Sequence, residues 1–185
     1  MDEISDNQLM AMVRDGDLDK LGILFERYHV MLYNFFLRLT EVRELSEDLV
    51  QEVFLRILSY RHTYAGRGKF TTWLFQIARN ARIDHFRKTK NNPVNQHEFN
   101  AEKSTDSSPL ENLDQQEQKK LIQQALSKLD MDVKEIIVMS RFHNLKYHEI
   151  AELVNCPVGT IKAKVHRGLK DLRSIYLGLT RESLI

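Results

Sequence analysis

Aromatic rings interleaved with arginines at helical spacing can grip a separated nucleic-acid strand, and residues 70–88, FTTWLFQIARNARIDHFRK, carry that pattern. Cations track phosphates while rings stack on unpaired bases. At about 100° per residue, Phe70, Trp73, Leu74, Ile77, Ala78 and Ala81 gather into one apolar stripe suited to a core. The other side carries Phe75, Arg79, Arg82, Ile83, Phe86 and Arg87. A solvated helix face ordinarily holds Glu, Lys and Gln, so this side reads as a surface to be covered by something anionic and stackable. Composition alone leaves a second reading open, in which Phe75 and Phe86 pack on a neighbouring helix and the arginines face water.

A second stretch, YHEIAELVNCPVGTIKAKVHRGLKDLR at 147–173, divides into a short helix, a break and a longer helix. Ile150, Ala151 and Leu153 form the first inner face, Pro157 and Gly159 the break, and Ile161, Val165, Leu169 and Leu172 the second inner stripe. This is helix-turn-helix spacing. Thr160, Lys162, Ala163, His166, Arg167 and Lys170 lie on the outer side, where small and basic residues suit a major groove. Lys162, Lys164, Arg167, Lys170 and Arg173 oppose Asp171 alone, which favours DNA over a helical hairpin with merely solvated lysines.

Catalytic and metal chemistry find little support. His143 and His148 stand across an expected turn, and His29, His62, His85, His97 and His166 show no ligand spacing with Cys156 or paired acids. The lone Cys156 excludes an intrachain disulfide framework, fits a reducing compartment and is expected to be a small buried hydrophobe. No cofactor and no small-molecule substrate are expected.

The elements that must position these residues are helical, because Gly and Pro are scarce and no stretch sustains period-two alternation. Ser5 with Gln8 makes a capping box for a first helix that ends at Gly16. Asp17 is expected to cap a second, with Leu21, Leu24, Phe25, Tyr28, Leu32, Phe35, Phe36 and Leu39 inward. A third is expected from near Ser46, with Leu45, Leu49, Val53, Phe54, Ile57 and Leu58 inward, and the loop RHTYAGRGK at 61–69 leads into the two-faced helix. Later, a helix closes near Leu129, Asp132 and Glu135 suggest a capping box, and Asn144 stands where a left-handed C-cap would sit. The fold expected is all-α: a four-helix domain over 1–90, a polar linker over 91–112 containing two prolines, and a helix-turn-helix domain over 113–185.

The net charge of +1 conceals segregation. Residues 1–60 hold twelve acids against six bases, whereas residues 61–90 hold eight bases against Asp84 alone. No signal peptide opens the chain and its most apolar run, Val30 to Leu39, is too short for a membrane span, so it is read as cytoplasmic.

With these motifs in order, the chain resembles the extracytoplasmic-function group of bacterial RNA polymerase sigma factors. SEDLVQEVFLRIL (Ser46 to Leu58) resembles that group's region 2.2, FTTWLFQIARNARIDHFRK its regions 2.3 and 2.4, and LKYHEIAELVNCPVGTIKAKVHRGLKDLR its region 4.2. The resemblance implies that Asp48, Gln51, Glu52, Phe54 and Arg56 contact core RNA polymerase, docking on the clamp helices of its largest subunit, with the flap of the second-largest subunit as a further contact. It implies that Tyr64, Arg67 and Lys69, with Phe75, Arg79, Asn80, Arg82, Ile83, Phe86 and Arg87, capture and open the minus-ten element of promoter DNA. Thr160, Lys162, Ala163, His166, Arg167 and Lys170 would read the minus-thirty-five element. Ala163, Asn144 and Leu129-Asp130 depart from the group's usual Ser, Gly and Leu-Pro. An anti-sigma protein, free or membrane-anchored, is an expected partner. The competing function is a stand-alone helix-turn-helix regulator, which needs a dimer that no heptad here supplies.

Overall fold

A computed structural model of the chain describes residues 4–91 and 113–182. The chain divides into two compact units, Met1–Glu102 and Lys103–Ile185. The linker expected over 91–112 lies outside the described residues, apart from Asn91 at the end of a helix.

The first unit holds α1 (Asp6–Arg14), α2 (Asp19–Thr40), α3 (Arg43–Tyr60), a single 3-10 turn (Arg61–Thr63) and α4 (Phe70–Asn91). Ser5 and Gln8 form the expected capping box on α1, with Gln8 N–H on Ser5 Oγ at 3.4 Å and Ser5 N–H on Gln8 Oε1 at 3.0 Å. Gly16 then turns the chain at φ 112°, a conformation that other residues rarely adopt. Asp17 does not cap α2. The helix starts at Asp19 with Leu18 at the cap position, and the Asp17 carboxylate lies 3.7 Å from Lys20 Nζ instead. Ser46 likewise does not start α3, which begins three residues earlier at Arg43; the buried Ser46 hydroxyl donates to Val42 O at 2.6 Å.

The core of this unit is built from Leu9, Leu24, Leu32, Phe35, Phe36, Val53, Ile57 and Leu74, all fully buried. Rings join the helices: Tyr28 meets Phe70 edge-on at 5.2 Å and Phe35 meets Phe75 at 5.1 Å and 86°. Phe75 is therefore a core residue, 1% exposed, and not part of a strand-binding surface. Arg82 is buried on the same side and Tyr64 beneath the loop, at 7% and 3% exposure. The reason lies in the width of the contact. On α4 the buried arc runs from Ile77 through Phe70, Ala81, Leu74, Ala78 and Arg82 to Phe75, about 160° at 100° per residue. The apolar pattern alone centres it about 50° away, toward Trp73, which is in fact only half-buried.

The second unit holds α5 (Leu113–Ser127), α6 (Met131–Ile137), a π-helical stretch (Val138–Phe142), α7 (Tyr147–Leu153) and α8 (Val158–Glu182). α6 begins at Met131 behind Asp130, so Asp132 and Glu135 do not form a capping box, and Glu135 is buried. Asn144 takes the left-handed conformation expected of it, at φ 54°. Ile150, Ala151, Leu153, Ile161 and Val165 are buried as the inner stripe requires, while Leu169 and Leu172 are half-buried. Gly168 explains how closely α6 and α8 pack. A Cβ there would meet Val133 Cγ1 at 2.4 Å and Ile137 Cδ1 at 2.9 Å, so the helix tolerates the propensity cost of an interior glycine.

If Phe75 belongs to the core, Phe75→Ala lowers the stability of the first unit by about 3–5 kcal/mol in chemical denaturation. Unchanged stability would return this ring to the surface.

Candidate nucleic-acid interface

Three glycine-adjacent features place the loop before α4. Gly66 and Gly68 sit at φ 66° and 78°, which lets residues 64–70 reverse without strain. The Tyr64 ring packs edge-on against Trp73 at 5.0 Å, and its hydroxyl donates to Asn7 Oδ1 at 2.9 Å. Burial is the main reason that this hydroxyl titrates above the ordinary tyrosine range. Arg67 and Lys69 remain exposed at the loop's rim.

Further along α4, an open pocket of about 310 Å³ lies between α3 and α4, lined by Arg56, Tyr60, Ile77, Asn80, Ile83 and Asp84. Asn80 and Ile83 are exposed there, and Tyr60, unassigned by the sequence reading, presents a ring that is 54% exposed. The pocket thus combines an amide, an apolar side chain and an aromatic face. Those are the groups that hold an extruded base, by hydrogen bonding to its edge and stacking on its plane. Arg79 is half-buried, Phe86 half-buried with His85 edge-on at 5.7 Å, and Arg87 exposed. The outward arc of α4 therefore keeps Arg79, Asn80, Ile83, Phe86 and Arg87 and loses Phe75 and Arg82 to the interior.

Charges tie the pocket wall together. Arg56 Nε donates to Glu52 Oε1 at 2.6 Å and Arg56 Nη1 to Asp84 Oδ2 at 2.9 Å, while Arg87 Nη2 reaches Asp84 Oδ1 at 3.2 Å. Burial works against the Arg56 cation, but its bonds from Glu52 and Asp84 outweigh that effect and raise its pKa above the ordinary value. Arg56, expected to reach outward to the polymerase, is instead committed to joining α3 to α4. Of the other residues in that group, Asp48 and Gln51 are exposed, Glu52 is half-buried and Phe54 is buried, meeting Phe25 edge-on at 4.9 Å. A second pocket of about 220 Å³ lies among Asp48, Leu49, Glu52, Arg56, Ala81, His85 and Lys88. Burial pushes the His85 imidazole below its ordinary pKa, against the raising effect of Asp48.

In the second unit α7 gives way to α8 through Asn155, at φ 50°, and Pro157. Cys156 is half-exposed, not buried as expected; its N–H donates to Ala151 O at 2.9 Å and closes the turn. Lys162, Ala163, His166, Arg167 and Lys170 are all exposed on one side of α8, with Thr160 half-buried at its start. Their steps of one and three residues make a single stripe, opposite the buried Ile161 and Val165. A rigid helix bearing such a stripe can enter a major groove.

Among the described residues no group of three or more His, Cys, Asp and Glu side chains is arranged to hold a metal ion, and no helix is long and apolar enough to cross a membrane.

The sigma-70 region 2 family model matches residues 24–92, and the model for sigma-70 region 4 matches residues 119–172. The chain is similar to the ECF RNA polymerase sigma factor SigX of Bacillus subtilis, 32% identical over 168 residues that cover 88% of this chain and 86% of that protein. It is also similar to SigW of the same organism, 31% identical over 89% of this chain and 92% of the relative. Among solved structures, the sigma factor RpoE from Bartonella quintana, in complex with the anti-sigma factor NepR, shares the fold at TM-score 0.69 and 23% identity, over 83% of this chain and 94% of that one. CnrH, in complex with the cytosolic domain of CnrY, does so at TM-score 0.69 and 21% identity, over 92% and 96%.

Replacing Arg56 by Ala removes two charge-assisted bonds and leaves Asp84 with Arg87 alone, so the first unit is expected to lose about 1–3 kcal/mol. Thermal or urea unfolding of the variant checks this; no loss would mean that the ion pairs are fully screened.

Proposed function

Because the chain belongs to the ECF group of RNA polymerase sigma factors, we propose that its two units divide promoter recognition between them. The first takes the minus-ten element as a separated strand, in the pocket flanked by Asn80, Ile83 and Tyr60, with Arg67, Lys69, Arg79 and Arg87 along the phosphate path. The second reads the minus-thirty-five element as duplex through Lys162, Ala163, His166, Arg167 and Lys170, with Thr160 at the entry of the helix. Asp48 and Gln51 offer the polymerase-binding surface on α3, while Phe54 and Arg56 support it from within. The relatives match across both units, which sets aside a stand-alone helix-turn-helix regulator. The protein works beside the polymerase, in the cytoplasm, as a specificity subunit with no chemistry of its own.

The observation that carries this reading is the open pocket against the outward arc of α4, on the helix that the loop with exposed Arg67 and Lys69 leads into. Flipping a base costs a few kcal/mol, and a preformed pocket with a cationic rim offsets that cost. The test is reconstitution with core RNA polymerase, followed by sequencing of the transcripts made from genomic DNA. On the promoters so found, Arg167→Ala is expected to weaken duplex binding by about 1–3 kcal/mol. Asn80→Ala is expected to spare binding and reduce permanganate reactivity of unpaired thymines. Transcription at wild-type level from both variants would remove these assignments.

An anti-sigma protein that covers apolar surface of the first unit is the proposed regulator. Ile23, Phe25 and Val30 on α2 and Leu55 on α3, between 37% and 60% exposed, are the apolar side chains that such a protein would cover. Affinity capture of the tagged chain from uninduced native cells should recover a co-encoded small protein, soluble or membrane-anchored. Recovery of core polymerase alone would count against it.

A further inference from the structure

One side chain of α1 bonds the end of the loop between α3 and α4 at three points. Asn7, the second residue of α1, accepts the Tyr64 hydroxyl at 2.9 Å and the Phe70 N–H at 2.8 Å on Oδ1, and its Nδ2 donates to the Gly68 carbonyl at 2.9 Å. A single amide thereby fixes positions 64, 68 and 70, on either side of the two left-handed glycines. Glycines bring no side-chain packing of their own, so these bonds help to set the register of Arg67 and Lys69. Arg14 Nη1 adds a longer bond to Tyr64 O, at 3.4 Å.

The support itself is rigid. Asp6, adjacent to Asn7, accepts Arg27 Nη1 at 2.7 Å on one oxygen and the Tyr28 hydroxyl on the other, which fastens the start of α1 to α2. Burial first, and then the Asp6 carboxylate, raise the pKa of Tyr28 well above its ordinary value, so that hydroxyl stays a donor at any physiological pH. α1 is thus fixed to the core at Asp6 and to the loop at Asn7. Both residues precede the segment 24–92 that the region 2 family model matches.

We propose that Asn7 is a positioning residue for minus-ten selectivity, setting from α1 the register of the loop 61–69 and so which bases that loop accepts. This rests on the minus-ten role proposed for that loop. Asn is the residue type the geometry requires, because the site needs two acceptances and one donation at a short reach. Asp keeps the shape and both acceptances but turns an oxygen toward the Gly68 carbonyl, which must then move away. Its charge, at the first turn of a helix, suits the helix dipole and leaves α1 stable.

The experiment binds reconstituted holoenzyme to a pool of non-template-strand oligonucleotides randomised over the minus-ten element, and sequences what is retained. Wild-type holoenzyme is expected to prefer its favoured base over others at one or more positions by roughly 10–100-fold, the range one base position ordinarily supplies. With Asn7→Asp that preference should fall to about 2–3-fold at the positions the loop serves, because a displaced register no longer separates matched from mismatched bases. Affinity for core polymerase and the melting temperature should stay at wild-type values. A merely structural role would lower binding to all sequences together and leave the ratios intact, and that result overturns the proposal. So does an unchanged motif. Asn7→Ala, which deletes all three bonds, provides the second reading on the same scale. A wild-type holoenzyme that selects no motif would instead remove the minus-ten role of the loop, and this inference with it, a result distinct from a variant that keeps the wild-type motif.

Discussion

A helix has one circumference, and α4 must use it both to close a core and to present the face proposed to meet a nucleic acid. The edge-on contact between Phe75 and Phe35, at 5.1 Å, settles how it is divided. Because Phe75 points inward, Asn80, Ile83 and Arg87, lying about 80–140° further round at 100° per residue, point outward. Rotating the helix by a single residue, about 100°, would bury Ile83 in one sense and in the other would expose the Phe75 ring and bury Asn80. The burial of an aromatic ring is worth several times an exposed ion pair, so the core decides the rotation and the surface follows from it.

Apolar packing fixes rotation well but sliding and tilt less well, since dispersion and burial have little directionality. The polar contacts of the first unit supply that direction at the points where α4 meets its neighbours. Arg56 joins Glu52 on its own helix to Asp84 on α4, at the wall of the larger pocket. Asn7 does the same for the loop at the other end of the helix. Both are partly buried polar anchors beside the proposed strand path rather than within it. Such second-rank supports keep a site within the tolerance that recognition requires.

Much of this was legible in the residue order. Helix period identified every α-element, the Ser5–Gln8 box and the left-handed Asn144 formed as local rules require, and the helix-turn-helix stripe of Lys162, Ala163, His166 and Arg167 is exposed as spacing alone implied. What escaped was tertiary. The apolar residues of α4 suggested a core arc centred toward Trp73, but three-sided packing shifted it to include Phe75 and Arg82. An arginine on a core face has no signature that separates it from one on a DNA face. Asn7 was equally invisible, because its partners lie 57–63 residues away and no local pattern announces them. Gly168 had a readable signal, an interior glycine in an otherwise strong helix, which commonly marks a close approach.

The two units also differ in how their cations are held, and this bears on how each would meet DNA. Among the described residues, Lys162, Arg167 and Lys170 make no ion pair, so the outer stripe of α8 presents uncompensated charge. Neighbouring cations on one helix face repel each other, and phosphates relieve that repulsion while releasing counterions. The duplex contact proposed for the second unit would therefore be driven largely by electrostatics and weaken steeply with salt. In the first unit Arg56 and Arg87 already share the Asp84 carboxylate, so a strand gains less from them as charges. In the proposed reading its grip would depend more on the shape of the pocket and on stacking, which salt affects little. Charge would bring the duplex to α8 at long range, whereas the pocket beside α4 would act at contact, on bases that have already left the stack.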